Sequence, residues 1–283
     1  MKLLQQISRT TLLANAVLAL GCVSFASAAK ETTAQPNIER GFQQMYNLDF
    51  LDAHTTFQAY QQAHPEEAIG YVSNAAAYLF SEFDRLHILE SDLFTDDQKF
   101  EHRDKVSADP VVKTQFESEL AKSDAAANKI LAQNPDDKDA LFAQVLASGL
   151  RGDYAALIEK RNLASLSYMK TSRTIAQKLL TIDPTCYDAY LAVGAENYLL
   201  GINSAPVRWM LRMTGAETDK TEGLQRLQLA ADKGHYLAPF ARLLLAVAAL
   251  RDKDKQTARN LLAGLAREFP SNQLYVAELA RIQ

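Results

Sequence analysis

The stretch GFQQMYNLDFLDAHTTFQAYQQAHP, residues 41–65, sets Gly41, Ala53, Phe57 and Pro65 at separations of 12, 4 and 8. Small residues at the first two positions let two antiparallel helices approach closely. An aromatic at the third fills the space between them, and proline stops the second helix. Near the other end, AVAALRDKDKQTARNLLAGLAREFP, residues 246–270, repeats the same separations with Ala246, Ala258, Leu262 and Pro270. Two copies of one ruler predict a stack of helix pairs, an architecture that more often binds partners than catalyses.

Working outward, Asn37–Asn47 and Phe50–His64 read as the first pair, with Asp49 at the N-cap of its second helix. A further first helix follows Pro65 and carries Tyr71, Ala75 and Tyr78. The charged stretch 91–110 breaks the pattern and reads as an insert. Val111–Gln133, Asp137–Leu150 and one longer helix, Asp153–Thr181, come next, punctuated by Pro135, Gly152 and Pro184. Beyond them lie a first helix around Tyr190 to Gly194, a short Trp/Met/Arg-rich helix between Ser204 and Gly215, and Asp219–Lys233. Leu237–Arg251 and Asp254–Phe269 form a last pair, and Ser271–Gln283 a final helix. Sustained two-residue alternation is missing throughout, so the fold class is all-α, an α-solenoid of antiparallel helix pairs over residues 37–283.

The ruler resembles the tetratricopeptide-repeat (TPR) superfamily, most closely over 37–83 and 237–283. Asn197-Tyr-Leu-Leu-Gly201, Arg208-Trp-Met-Leu-Arg212 and Tyr236-Leu-Ala-Pro-Phe-Ala-Arg242 are similar to segments of exported bacterial TPR proteins of unassigned function. More distantly, the layout is similar to the eukaryotic inclusion-body-clearance family. Its members have TPR-like helices and are linked to aggregate clearance and lipid handling. The resemblance implies the fold far more than a function.

The N-terminus has the pattern of an export signal: Lys2 and Arg9, an apolar stretch from Thr10 to Leu20, and a small-x-small site at Ala26-Ser27-Ala28. Cleavage after Ala28 predicts a periplasmic or secreted protein with a disordered leader at 29–36. A competing reading takes Ala19-Leu20-Gly21-Cys22 as a degenerate lipid-attachment site anchored at Cys22. The apolar stretch is too short to span a bilayer, and no transmembrane helix is expected in the mature chain. The net charge of −4 and the lack of a long basic run argue against nucleic acid. Cleavage leaves Cys186 as the sole cysteine, so an internal disulfide is excluded. It reads as a small residue at a helix start rather than a nucleophile.

Chemistry-bearing motifs are scarce. His87 and Glu90, with Glu82, Asp84 and His102 near in sequence, do not repeat as a metal-binding unit. His54 and His64, ten residues apart, fall on opposite faces of one helix. Neither a glycine-rich phosphate loop nor a Gly-x-Ser-x-Gly turn occurs. No catalytic residue, metal or cofactor is assigned, and a metal-dependent enzyme is the least favoured reading.

Binding candidates fall in three places. Tyr71, Tyr78, Tyr190, Asn197 and Tyr198 lie on first helices and are candidates to line a concave groove. On the long helix, an ideal 100° per residue puts Lys160, Lys170, Arg173, Gln177 and Lys178 opposite an apolar arc. The same spacing turns Arg161 into that arc. It either forms an inter-helix ion pair with Glu196 or lines the groove to hold a carboxylate. Finally, Arg208 and Arg212 lie one turn apart beside Trp209. They either grip an anionic group with an apolar tail or form a joint, with Trp209 as plug and Glu217 and Asp219 as ion partners. The leading expectation is a scaffold that binds a protein or peptide in its groove. The alternative is a lipid or small-molecule binder, and an apolar pocket in place of a polar groove would favour it.

Overall fold

The computed structural model describes residues 37–89, 106–203, 205–213 and 215–282. The expected signal, the leader, Cys22, Glu90, His102, Ser204 and most of the 91–110 insert lie outside them. The described residues hold twelve α-helices and no strand: α1 (Ile38–Tyr46), α2 (Phe50–Ala63), α3 (Ala68–Arg85), α4 (Pro110–Leu131), α5 (Lys138–Asp153), α6 (Asn162–Ile182), α7 (Tyr190–Gly201), α8 (Ala205–Met213), α9 (Lys220–Lys233), α10 (Ala238–Arg251), α11 (Lys255–Glu268) and α12 (Gln273–Arg281). They pack as consecutive pairs, α1/α2, α3/α4, α5/α6, α7/α9 and α10/α11, with α12 on the last. This is an α-solenoid. The 91–110 insert interrupts the second pair, and α8 interrupts the fourth.

Local chemistry sets the helix ends. Side chains of Asn37, Asp109, Asp137, Asp219, Asp254 and Asn272 accept backbone N–H groups in the first turns of their helices. Each satisfies donors that the helix cannot satisfy internally. Asp49 stands at the expected N-cap of α2 but makes no side-chain capping bond. Pro65, Pro135, Pro184 and Pro270 follow the second helices of four pairs. Two tyrosines read those prolines in the same way: Tyr71 donates to the Pro65 carbonyl at 3.0 Å and Tyr190 to the Pro184 carbonyl at 3.2 Å. Internal repetition is therefore present in the hydrogen bonding as well as in the spacing.

The helix expected at Asp153–Thr181 is not continuous. Helix α5 runs through Gly152 to Asp153 and widens into a π-helical turn over Tyr154–Ile158. The chain then breaks at Lys160, where φ is +56°. Helix α6 begins afresh at Asn162, so residues before and after the break do not share one helical phase.

Both copies of the ruler work as wedges. Phe57 and Leu262 are buried against Gly41 and Ala53 in one copy and Ala246 and Ala258 in the other. A Cβ on Gly41 would collide with the Phe57 ring. At the α7/α9 crossing, a Cβ on Gly194 would stand 2.8 Å from the Leu227 backbone nitrogen.

The stack also closes on itself. The ring of Tyr46, at the end of α1, lies 5.3 Å from Phe269 at the end of α11, and its hydroxyl donates to the Tyr236 carbonyl at 2.9 Å. Asn272 donates back to the Tyr46 carbonyl at 2.8 Å, and Phe42 stacks on Tyr236 at 4.8 Å. First and last pairs thus share one core.

If Phe57 and Leu262 are equivalent wedges, Phe57→Ala and Leu262→Ala should each cost about 2–5 kcal/mol in urea unfolding. Lys255→Ala, on the exposed side of α11, should cost almost nothing. A Phe57→Ala protein as stable as wild type would disprove the proposed register.

Candidate functional site

Closure turns the concave face inward. The first helices of all five pairs, α1, α3, α5, α7 and α10, line an interior cavity, with α6 completing the wall. Two contiguous lobes hold about 170 and about 220 Å³. Phe80, Asp153, Ser165, Met169, Leu199 and Phe240 line both. Each lobe exceeds the roughly 150 Å³ of an apolar cavity that stays dry and takes up benzene. Space exists because the inward positions carry small residues: Ala76 on α3, Gly149 and Gly152 on α5, Ala192 and Ala195 on α7.

Few polar atoms reach this space. Ser172 donates to the Val145 carbonyl at 2.9 Å. Asp188 is fully engaged, accepting from the backbone nitrogens of His235, Tyr236 and Leu237 at 3.0, 3.1 and 2.9 Å, which anchors the start of α10. Glu278 pairs with Arg281 at 2.8 Å. The Ser73 hydroxyl, by contrast, is buried without a hydrogen-bond partner among the described residues. Asp153 stands at the junction of the lobes, the last residue before the π-helical turn. Burial alone pushes its carboxyl from an ordinary 3.8 up to about 7. No histidine or cysteine is on the wall.

Several sequence-predicted sites land elsewhere. Tyr71 and Tyr190 are tied to the prolines before their helices, and Tyr78 packs 4.0 Å from the His54 ring on α2. These tyrosines fill joints between pairs, and the cavity is lined instead from neighbouring turns of α3 and α7. Asn197 is buried and bonds Glu217 at 2.7 Å and the Asp219 nitrogen at 3.1 Å. Of the five groove candidates, Tyr198 alone lines the cavity, in its second lobe.

Arg161 requires a correction. Its side chain is 64 % exposed and pairs with Glu159 at 3.0 Å. The arginine that meets Glu196 is Arg173, at 2.8 Å, with both side chains buried. Arg161 lies in the break at 154–161 and is carried off the helix, whereas Arg173 stands at the edge of the apolar arc of α6, beside buried Ser172 and Ala176, within reach of Glu196. Arg173 also donates to Glu217 at 3.1 Å and to the Gly215 carbonyl at 2.9 Å, fixing the segment between α8 and α9. With Lys178 paired to Asp136 at 3.0 Å, the expected cationic face is largely spent on internal contacts.

On α8, Arg208 donates to the Asn203 carbonyl and Arg212 to the Thr218 hydroxyl, both at 2.6 Å. They tie the helix to its flanks and do not pair with Glu217 or Asp219. Trp209 is 67 % exposed, so it does not plug the joint. Cys186 is half-buried beside the short helix before α7, and burial raises its thiol to about 11. His64, Glu66 and Glu67 cluster at the end of α2, where a surface pair of His64 with Glu67 at 3.2 Å accounts for them.

Asp153 is the wall residue that sequence does not single out, because it ends α5 where the spacing predicts the start of a long helix. The readable signal is Gly149 and Gly152 near the end of α5, followed by one acid and then Tyr-Ala-Ala-Leu-Ile. Compared with known proteins, the chain matches no family profile and no curated protein.

The raised Asp153 carboxyl has a consequence for stability. Between about 4 and about 7 the unfolded chain has ionised this acid while the native state keeps its proton. Native stability should therefore fall as pH rises through that window and level off above it. Asp153→Asn should flatten that slope in urea titrations and leave the protein more stable than wild type at pH 8. An unchanged slope would mean that Asp153 is solvated.

Proposed function

We propose that this protein binds an apolar small molecule or lipid tail inside its solenoid. The observation that carries the reading is the two-lobed apolar cavity lined by the first helix of every pair. Large apolar pockets with a few polar groups are the usual form of small-molecule sites. A peptide in a concave groove is less favoured, because closure gives that face to the interior and most tyrosines proposed for it serve as joints. The repeated ruler and the paired tyrosine–proline bonds support placing the fold in the TPR superfamily. Among the described residues no helix is long and apolar enough to cross a membrane.

Uptake of N-phenyl-1-naphthylamine, an uncharged probe that fluoresces in apolar surroundings, tests the binding. Wild type should bind it, and Gly149→Leu or Ala195→Phe should weaken uptake at least about tenfold by filling the space while keeping the fold. Absence of wild-type uptake, or filled variants that bind as well, would overturn the reading.

The basic start, apolar stretch and small-x-small site support export to a periplasm or the exterior. N-terminal mass spectrometry of the mature protein should find a chain beginning at Ala29 or Lys30. A lipid-modified peptide starting at Cys22 would replace that reading with a membrane anchor.

A further inference from the structure

Resting on the cavity reading above, we propose that the ligand carries one protonated amine held by the Asp153 carboxylate, with its apolar remainder lying between Phe80, Met169, Leu199 and Phe240. The first support is the carboxyl group itself. Asp153 makes no hydrogen bond or ion pair among the described residues, although it lies between two lobes whose walls are mainly carbon. Asp153 is partly exposed to this apolar space, and an acid removed from bulk water without a partner is costly. A residue kept unpaired at the centre of a pocket points to a partner that arrives with the ligand.

The second support is the charge of the wall. Helices α1, α3, α6 and α7 contribute no charged side chain to either lobe. The turn before α7 contributes Asp188, α10 contributes Arg251, and α12 contributes Glu278. Asp188 is held by three backbone N–H groups and Glu278 by Arg281, so Asp153 is the acid on the wall, among the described residues, left to meet a cation. The third support is local structure. Asp153 directly precedes the π-helical turn, a form that occurs often at functional sites. Ser165, on the wall of both lobes, offers a hydroxyl that can accept a further ammonium hydrogen.

Binding is a charge-assisted contact and leaves the protein covalently unchanged. An ammonium donates to the carboxylate and restores the solvation that Asp153 loses on folding. Ionisation of Asp153 is a requirement, so the amine preference should appear above about pH 7 and fade below it.

Displacement of N-phenyl-1-naphthylamine by octylamine, octanol and octanoate at pH 8 tests this on the full mature chain. Octylamine should compete at least about tenfold better than octanol, as expected for a charge-assisted hydrogen bond, and octanoate should be weakest. The amine-to-alcohol ratio should fall towards one in Asp153→Asn. It should fall likewise in wild type at pH 5, a comparison that needs no variant. Octanol competing as well as octylamine, or Asp153→Asn keeping the preference, would overturn the proposal while leaving the cavity reading intact. Failure of the probe to bind wild type would overturn both.

Discussion

The seam between α1 and the last helix pair governs what this solenoid can do. Tyr46 brings its ring to Phe269 and its hydroxyl to the Tyr236 carbonyl, while Asn272 grips the Tyr46 carbonyl from the other side. Burial raises the phenol well above its ordinary value, so it remains a donor at any physiological pH. A solenoid without such a seam presents its concave face to solvent and can read an extended partner. Here the same face becomes core. The first-helix side chains that would meet a peptide meet one another across a cavity, which moves the binding question from surface shape to interior chemistry.

A second polar centre sets the path of the chain where the repeat is interrupted. Arg173 reaches Glu196, Glu217 and the Gly215 carbonyl, and Asn197 joins the same cluster from α7. Burial pushes the Glu196 carboxyl up and the neighbouring guanidinium pulls it back. Buried ion pairs of this kind contribute little net stability against a well-packed apolar alternative, but removing one partner strands a charge. The cluster is therefore better understood as a fixture. It returns the chain from α8 to the start of α9 at one place, and Asp219 then caps that helix.

The fold was legible because its signals are local. Prolines after second helices, Asp and Asn before first turns, and small residues at close crossings act within one helix or between neighbours; Pro65, Pro135, Pro184, Pro270, Asp219 and Asp254 stand at the helix ends expected of them, while Asp49 makes no capping bond. The site was less legible for two physical reasons. Seam closure depends on the summed twist of five pairs, which no short window of sequence contains. The π-helical turn at 154–158 and the break after it carry Arg161 off the helix, so the ion pair with Glu196 falls to Arg173 at the edge of the α6 arc, and Asp153 ends α5 instead of starting a helix. Tyr71 and Tyr190 show a third difficulty. A tyrosine on a first helix can face groove or joint, and the proline six residues before it was the cue that separated the two.

The glycines separate required space from spare space. Gly41 and Gly194 have no freedom, since a Cβ on either would strike the Phe57 ring or the backbone of α9. Gly149 differs, because a Cβ there would meet nothing nearer than the Ser172 hydroxyl at 3.8 Å. Helix packing does not demand a glycine at that position, and a larger side chain would bury more apolar surface and add helix propensity. Asp153, four residues on, follows the same logic. Folding alone would favour an amide or an apolar residue over an acid whose ionisation the site resists. Two neighbouring positions on α5 therefore both forgo stability, one by leaving room and the other by placing an unpaired carboxyl beside it. An interior reserved for a ligand accounts for both.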